Sequence, residues 1–210
     1  MNAGSTTAAL TGGVALLERA MGYTLGSLQL VTSAALSNRT PCSEWDLRAL
    51  LLHMNDSLLT MHEAIAVGHL DLEDATVTHG DPTAHYGDPA VDPVASLRNR
   101  ACRMVGAWAN ARGSGEISIV DRELTSGIVA ATGAVEVTVH GWDVARACGQ
   151  DRPVPPALAL ELLELCPLLV SAADRGTRFA LPAYLPPDAG PSDRLVGYFG
   201  RVSGSRTSHS

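Results

Sequence analysis

Between Trp45 and Ile65, apolar residues at 45, 47, 50, 51, 54, 58, 61 and 65 line up along one side. That alternation of three and four marks one stripe of an α-helix. The same period runs through Leu10, Val14, Leu17, Met21, Leu25, Leu28 and Val31, and again through Leu97, Ala101, Met104, Val105 and Trp108. Several such stripes in one chain are buried by packing helix on helix. Aromatic residues make up only 4% of the 210, so the core must be built from Leu, Val and Ala, which favours packed helices over a β-sandwich. A chain of this length buries about 70% of its unfolded surface and needs no covalent staples. One domain, ending near residue 202 and followed by a disordered tail over 203–210, is the expectation.

Local signals divide the chain. A first helix is expected over Thr6–Leu36, weakened by glycines at 12, 13, 22 and 26. Asn38-Arg39-Thr40-Pro41 breaks it. Ser43 reads as the N-cap of a second helix, Glu44–Val67, with Glu44 and Asp46 where negative charge suits the helix dipole. Gly68–Pro93, with His69, His79 and His85, reads as a polar connection, mobile or shaping a cavity mouth. Asp92-Pro93 opens a third helix to about Arg112. Glu116–Val120 alternates like a strand but has no obvious partner. Gly127–Cys148 reads as a fourth helix with Gly149 at its C-cap, although Val135, Val137, Thr138 and Val139 would also suit a strand. Pro155 or Pro156 opens a fifth helix to about Asp174; Pro182–Pro191 is a loop, and Leu195–Phe199 is a short apolar piece.

Composition removes whole function classes. The net charge is -7, which argues against nucleic acid as a partner. All 15 basic residues are arginine, so Schiff-base chemistry, PLP-lysine chemistry and a P-loop are excluded. No G-x-S-x-G elbow and no helix-opening G-x-G-x-x-G occurs. Cys42, Cys102, Cys148 and Cys166 form no C-x-x-C pair and read as reduced thiols. The most apolar stretch, Ala157–Val170, contains Glu161, Glu164 and Pro167 and is too short to span a bilayer. With no signal-peptide pattern at the start, a cytoplasmic protein is expected.

Two segments carry chemistry: Thr40-Pro41-Cys42-Ser43-Glu44-Trp45 followed by His53, and Glu136 followed by His140-Gly141-Trp142-Asp143. Glu136 and His140 lie one helical turn apart and share a face. A Glu and a His in that relation are a standard helical way to offer two ligands to one metal. His53, midway along an apolar helix, can add a third from across the bundle. Two His and one Glu suit a zinc-like ion and leave a position open for water or substrate. Asp143, three residues past His140, either holds a ligand imidazole or is a solvated surface acid. Asp56, one turn past His53, is a candidate proton acceptor, and a surface acid otherwise. These two are the candidates for catalytic roles beside the metal. Trp45 and Trp142 read as packing anchors; His62, His69, His79, His85 and His209 read as solvated, with His62 or a loop histidine lining the site as the alternative.

With Gly149 and the late Asp193-Arg194-Leu195 and Gly200-Arg201, these motifs resemble the DinB-like superfamily. The resemblance is nearest to the branch related to the metal-binding N-terminal domain of mycothiol-dependent maleylpyruvate isomerase, and it covers about residues 10 to 201. It implies an all-α, four-helix bundle with extra short helices, and a divalent metal, zinc or nickel, on His53, Glu136 and His140. It also implies a low-molecular-weight thiol, often mycothiol, whose sulfur approaches the metal. The isomerase's additional C-terminal domain has no counterpart here, so its particular isomerisation does not carry over. The function expected is a metal-dependent, thiol-using transferase or isomerase acting on a small electrophile, with a homodimer as the expected assembly. A metal-dependent hydrolase, a non-enzymatic metal-binding module and a natural-product enzyme reusing the bundle cavity are the alternatives.

Overall fold

The computed structural model describes residues 3–42, 45–67, 69–70, 92–110, 116–119, 122–176 and 179–203. Six helices occur among them: α1 (Ala3–Leu28), α2 (Leu47–Val67), α3 (Pro93–Asn110), α4 (Ser126–Ala147), α5 (Pro156–Leu169) and α6 (Pro191–Tyr198). The first four form the expected helical bundle. α1 lies along α4, α2 packs against both α3 and α4, and α5 and α6 pair with each other beside α4. Trp142, Leu17, Leu28, Leu47, Leu50, Leu51, Met54, Leu58, Leu97, Met104 and Leu162 are the largest side chains sealed inside. The core is thus aliphatic, as the scarcity of aromatic residues requires. Among the described residues no helix is long and apolar enough to cross a membrane.

Several expected boundaries move. α1 stops at Leu28, and a separate 3-10 turn spans Ser33–Ser37, so Thr6–Leu36 is two elements. α2 begins at Leu47 rather than Glu44. Its cap is Asp46, whose Oδ1 accepts the Ala49 N–H at 2.8 Å. Ser43 and Glu44 lie outside the described residues. Either Ser43 or Asp46 suits an N-cap chemically, but only Asp46 stands directly before the residues that adopt helical geometry. Replacing Asp46 with Ala should cost about 1 kcal/mol of stability, read from urea unfolding, because it orphans a first-turn N–H. No change in the midpoint would show that water caps the helix equally well.

Asp92 caps α3 as expected, its Oδ1 accepting from Val94 and Ala95 at 2.9 and 3.3 Å. Gly149 ends α4 in the left-handed region at φ 72°, where a side chain would be strained. The β-branched run in α4 is helical because its valines are buried on the bundle side, which overrides their strand preference. α5 closes at Leu169, and Ala172–Asp174 is a separate 3-10 turn. The apolar piece near Leu195 is helix α6.

The strand-like segment does have partners. β2 (Glu116–Ile119) runs parallel to β1 (His69–Leu70) and antiparallel to β3 (Arg122–Thr125), in the order β1-β2-β3. Ile119 pairs with Arg122, so β2 and β3 form a tight hairpin. The remainder of the Gly68–Pro93 connection that precedes Asp92, and the tail from residue 204, lie outside the described residues.

Glycine sets the distance between α1 and α4 beside the candidate site. A Cβ on Gly141 would stand 2.5 Å from Thr24 Oγ1 and 3.1 Å from Thr24 Cα. The same Thr24 hydroxyl donates to the Val137 carbonyl at 2.6 Å, locking the two helices in register. Arg152 ties α1 to the segment before α5. It donates to the Tyr23 carbonyl at 2.6 Å and lies over the Tyr23 ring at 4.4 Å, while the Tyr23 hydroxyl donates back to the Arg152 carbonyl at 2.7 Å. Burial pushes the Tyr23 phenol up to about 12, so it stays a donor at any physiological pH.

Candidate metal centre

α2 and α4 face each other with His53 on one and Glu136 and His140 on the other. The three side chains each offer one ligand atom, and these atoms all lie within 4.8 Å of one another. His53 Nε2 stands 3.4 Å from Glu136 Oε1, and the two imidazole rings meet edge to face at 5.3 Å. Burial alone would raise the Glu136 pKa. The hydrogen bond from His53, the charges of His53 and His140, and a hydrogen bond from Ser57 outweigh it and hold the carboxyl at about 2. Glu136 is therefore an anion throughout the physiological range. The side chains of His53, Glu136 and His140 are 24%, 29% and 12% exposed, so the cluster is sheltered yet reachable from solvent.

The His140 ring is fixed from behind. Asp143 is fully buried, and its Oδ2 sits 3.1 Å from His140 Nδ1. Burial opposes ionisation of that carboxyl, but the His140 contact and Arg201 hold its pKa below the ordinary value. An ionised carboxylate can only accept, so His140 Nδ1 carries the proton and Nε2 is the nitrogen left for a ligand. Arg201 grips both oxygens of the same carboxylate, Nη2 at 2.8 Å from the Oδ2 that His140 also meets and Nε at 3.3 Å from Oδ1. Asp143 is thus no solvated surface acid.

Trp45 is more than a packing anchor. Its ring lies 4.2 Å from that of His53 and 6.2 Å from that of His140, covering one flank of the cluster. The turn that carries it is closed by backbone bonds, Leu47 N to Asn38 O at 2.9 Å and Trp45 N to Cys42 O at 3.0 Å. The Thr40 hydroxyl reaches the carbonyls of Cys42 and Trp45 at 2.9 and 2.8 Å. The motif Thr40 to Trp45 therefore works as a bracket for the indole. Asp56, half-buried on α2, is not part of the three-ligand group. His62 departs from the solvated reading. Its Nδ1 is buried without a hydrogen bond, and the residue lines a cavity of about 60 Å³ with Leu58, Leu59, Arg100 and Arg103. Among the described residues the four cysteines are free thiols, and Cys42 is hydrogen-bonded to Arg201.

The sequence reading missed Ser57, the stacking role of Trp45 and the pairing of Arg201 with Asp143, although Gly200-Arg201 was part of the motif set. Ser57 stands one turn beyond His53, a spacing that could have flagged it. Gly200-Arg201 stood out only as part of the family-like ending, and no spacing in the sequence links it to residue 143.

Residues 17–145 match the model of the mycothiol maleylpyruvate isomerase N-terminal domain. The chain belongs to that family. It is a mycothiol-related, metal-binding family, and the matched span contains His53, Glu136, His140 and Asp143. Among similar proteins are the uncharacterized proteins MT0763 and Rv0738 from two strains of Mycobacterium tuberculosis. Each is 26% identical over 187 residues, which span 88% of this chain and 95% of the relative. No solved structure matches the chain.

A divalent ion fits these residues on the chemistry of the donors. Two imidazole nitrogens and a carboxylate oxygen stand in one cluster, one imidazole already oriented by a buried carboxylate, as metal-bound histidines almost always are. Zinc bonds to such atoms are about 2.0–2.2 Å long, so small side-chain rotations bring all three onto one ion.

Proposed function

We propose that this family member is a metal-dependent enzyme that uses a small thiol of the mycothiol class on a small electrophilic substrate, as a transferase or isomerase. His53, Glu136 and His140 hold the ion. The observation that carries the reading is a three-ligand cluster, partly exposed to solvent and flanked by the Trp45 ring. Three protein ligands leave room for an incoming group, whereas structural zinc sites are closed by a fourth.

When bound, a divalent ion supplies the positive charge that lowers the pKa of an approaching thiol or water. The chain's own residues do the rest. Asp143 keeps the His140 proton on Nδ1, so that Nε2 faces the cluster. Glu136, ionised and hydrogen-bonded by Ser57, contributes the negative charge that balances the ion. Trp45 restricts water on the His53 flank. Asp56, three residues beyond His53 on α2, is the residue assigned to take a proton in this reading.

The test is spectroscopic. Purified protein is expected to retain a near-stoichiometric divalent metal, and cobalt-substituted protein should develop a sulfur-to-cobalt charge-transfer band on adding mycothiol at millimolar concentration. Cobalt-loaded protein that shows no band would remove the thiol from the proposal and leave activation of water as the better account.

A further inference from the structure

The family match ends at residue 145, yet the metal centre's support continues into the turn after α6. Arg201 reaches back from there with its side chain only 11% exposed. Nη1 donates to the Phe199 carbonyl at 2.9 Å, which fixes the guanidinium in place. Nη2 and Nε then take the two oxygens of Asp143, and the same guanidinium is hydrogen-bonded to Cys42 in the bracket that carries Trp45. Among the described residues, the charged or imidazole partners of the Asp143 carboxylate are His140 and Arg201.

The geometry explains why one partner is not enough. The terminal torsion of an aspartate is broad, so a single bond to His140 leaves the carboxylate plane free to rock. A fork of two N–H groups fixes that plane. With the plane fixed, the His140 ring is fixed, and so is the direction of Nε2 toward Glu136 and His53. We propose that Arg201 is a positioning residue of the metal centre, acting through Asp143 on His140. The segment after α6 thereby sets the metal affinity of a site whose ligands all lie within the family's matched span. This rests on the metal-binding reading above.

The experiment uses the full chain and zinc alone, titrated against a chromophoric chelator. Wild type, Arg201→Met and Arg201→Lys are compared, and Arg201→Met is repeated in an Asp143→Asn background. Arg201→Met is expected to weaken zinc binding about 10–100-fold, the usual cost of losing a group that supports a ligand. Arg201→Lys should recover part of the loss, since it restores the charge but not the fork. In the Asp143→Asn background the Met substitution should change affinity by less than about threefold, because the path from residue 201 to His140 is already cut. That double variant removes both buried charges together and provides a folded comparison if Arg201→Met alone misfolds. Zinc affinity of Arg201→Met equal to wild type would overturn the proposal. So would an equal loss in both backgrounds, which marks a purely structural residue. Wild type that binds no zinc would instead remove the metal reading itself.

Discussion

Replacing His140 with alanine is expected to weaken metal binding on the order of 100-fold or more, beyond the cost of losing a supporting group. The substitution removes one of the three side-chain atoms proposed to hold the ion. It also leaves the fully buried Asp143 with Arg201 as its remaining charged partner. Any metal-dependent activity should fall with the metal. Chelator competition gives the affinity, and elemental analysis gives the stoichiometry. Because Asp143 keeps Arg201, the bundle itself should stay folded, with helical content near wild type by circular dichroism. Retention of stoichiometric metal at wild-type affinity in His140→Ala would show that the ion sits elsewhere.

Trp142→Ala is expected to have the largest effect on stability. Trp142 is the largest of the sealed side chains and lies between two residues that build the site, Gly141 and Asp143. Deleting a buried Trp side chain costs about 3–5 kcal/mol through lost burial and the cavity left behind. For a chain of this size each kcal/mol lowers the melting temperature by roughly 2–4 °C. A melting temperature depressed by roughly 10 °C, followed by calorimetry, is the expected outcome. A change under about 1 kcal/mol would mean that neighbouring helices collapse into the space, contradicting a close-packed core.

Much of this architecture is written locally. The stripe from Leu47 to Met61 sets α2 and its buried face. Asp92 before Pro93 and Gly149 after Cys148 mark helix ends by backbone chemistry that needs no distant partner. Glu136 and His140 share a face by helical period alone, and His53 stands out as a histidine midway along an apolar helix. What was not legible depends on contacts between distant segments. β2 looked solitary because one neighbour lies at His69–Leu70, far upstream, and the other is a hairpin return. The start of α2 was misjudged because Ser43 and Asp46 carry equivalent capping chemistry. Trp45 precedes α2, in a turn whose shape depends on Thr40 and Asn38, so helical period could not place it over His53. Arg201 approaches Asp143 across 58 residues, and only the folded path of α5 and α6 brings them together.

The approach of His53 to Glu136 has a further consequence for how the chain stays folded. These residues bracket the stretch 54–135, which includes all of α3 and the small sheet. An ion held by the proposed ligands would join the two ends of that stretch in the folded state alone, because the unfolded chain offers no preformed site. Folding and metal supply then become linked quantities. At a free ion concentration 100 times the dissociation constant, occupancy adds about 2.7 kcal/mol to the folded state. If the proposed ligands hold an ion, the melting temperature of the bundle should rise with free ion, and removing the ion should loosen the helices that carry those ligands.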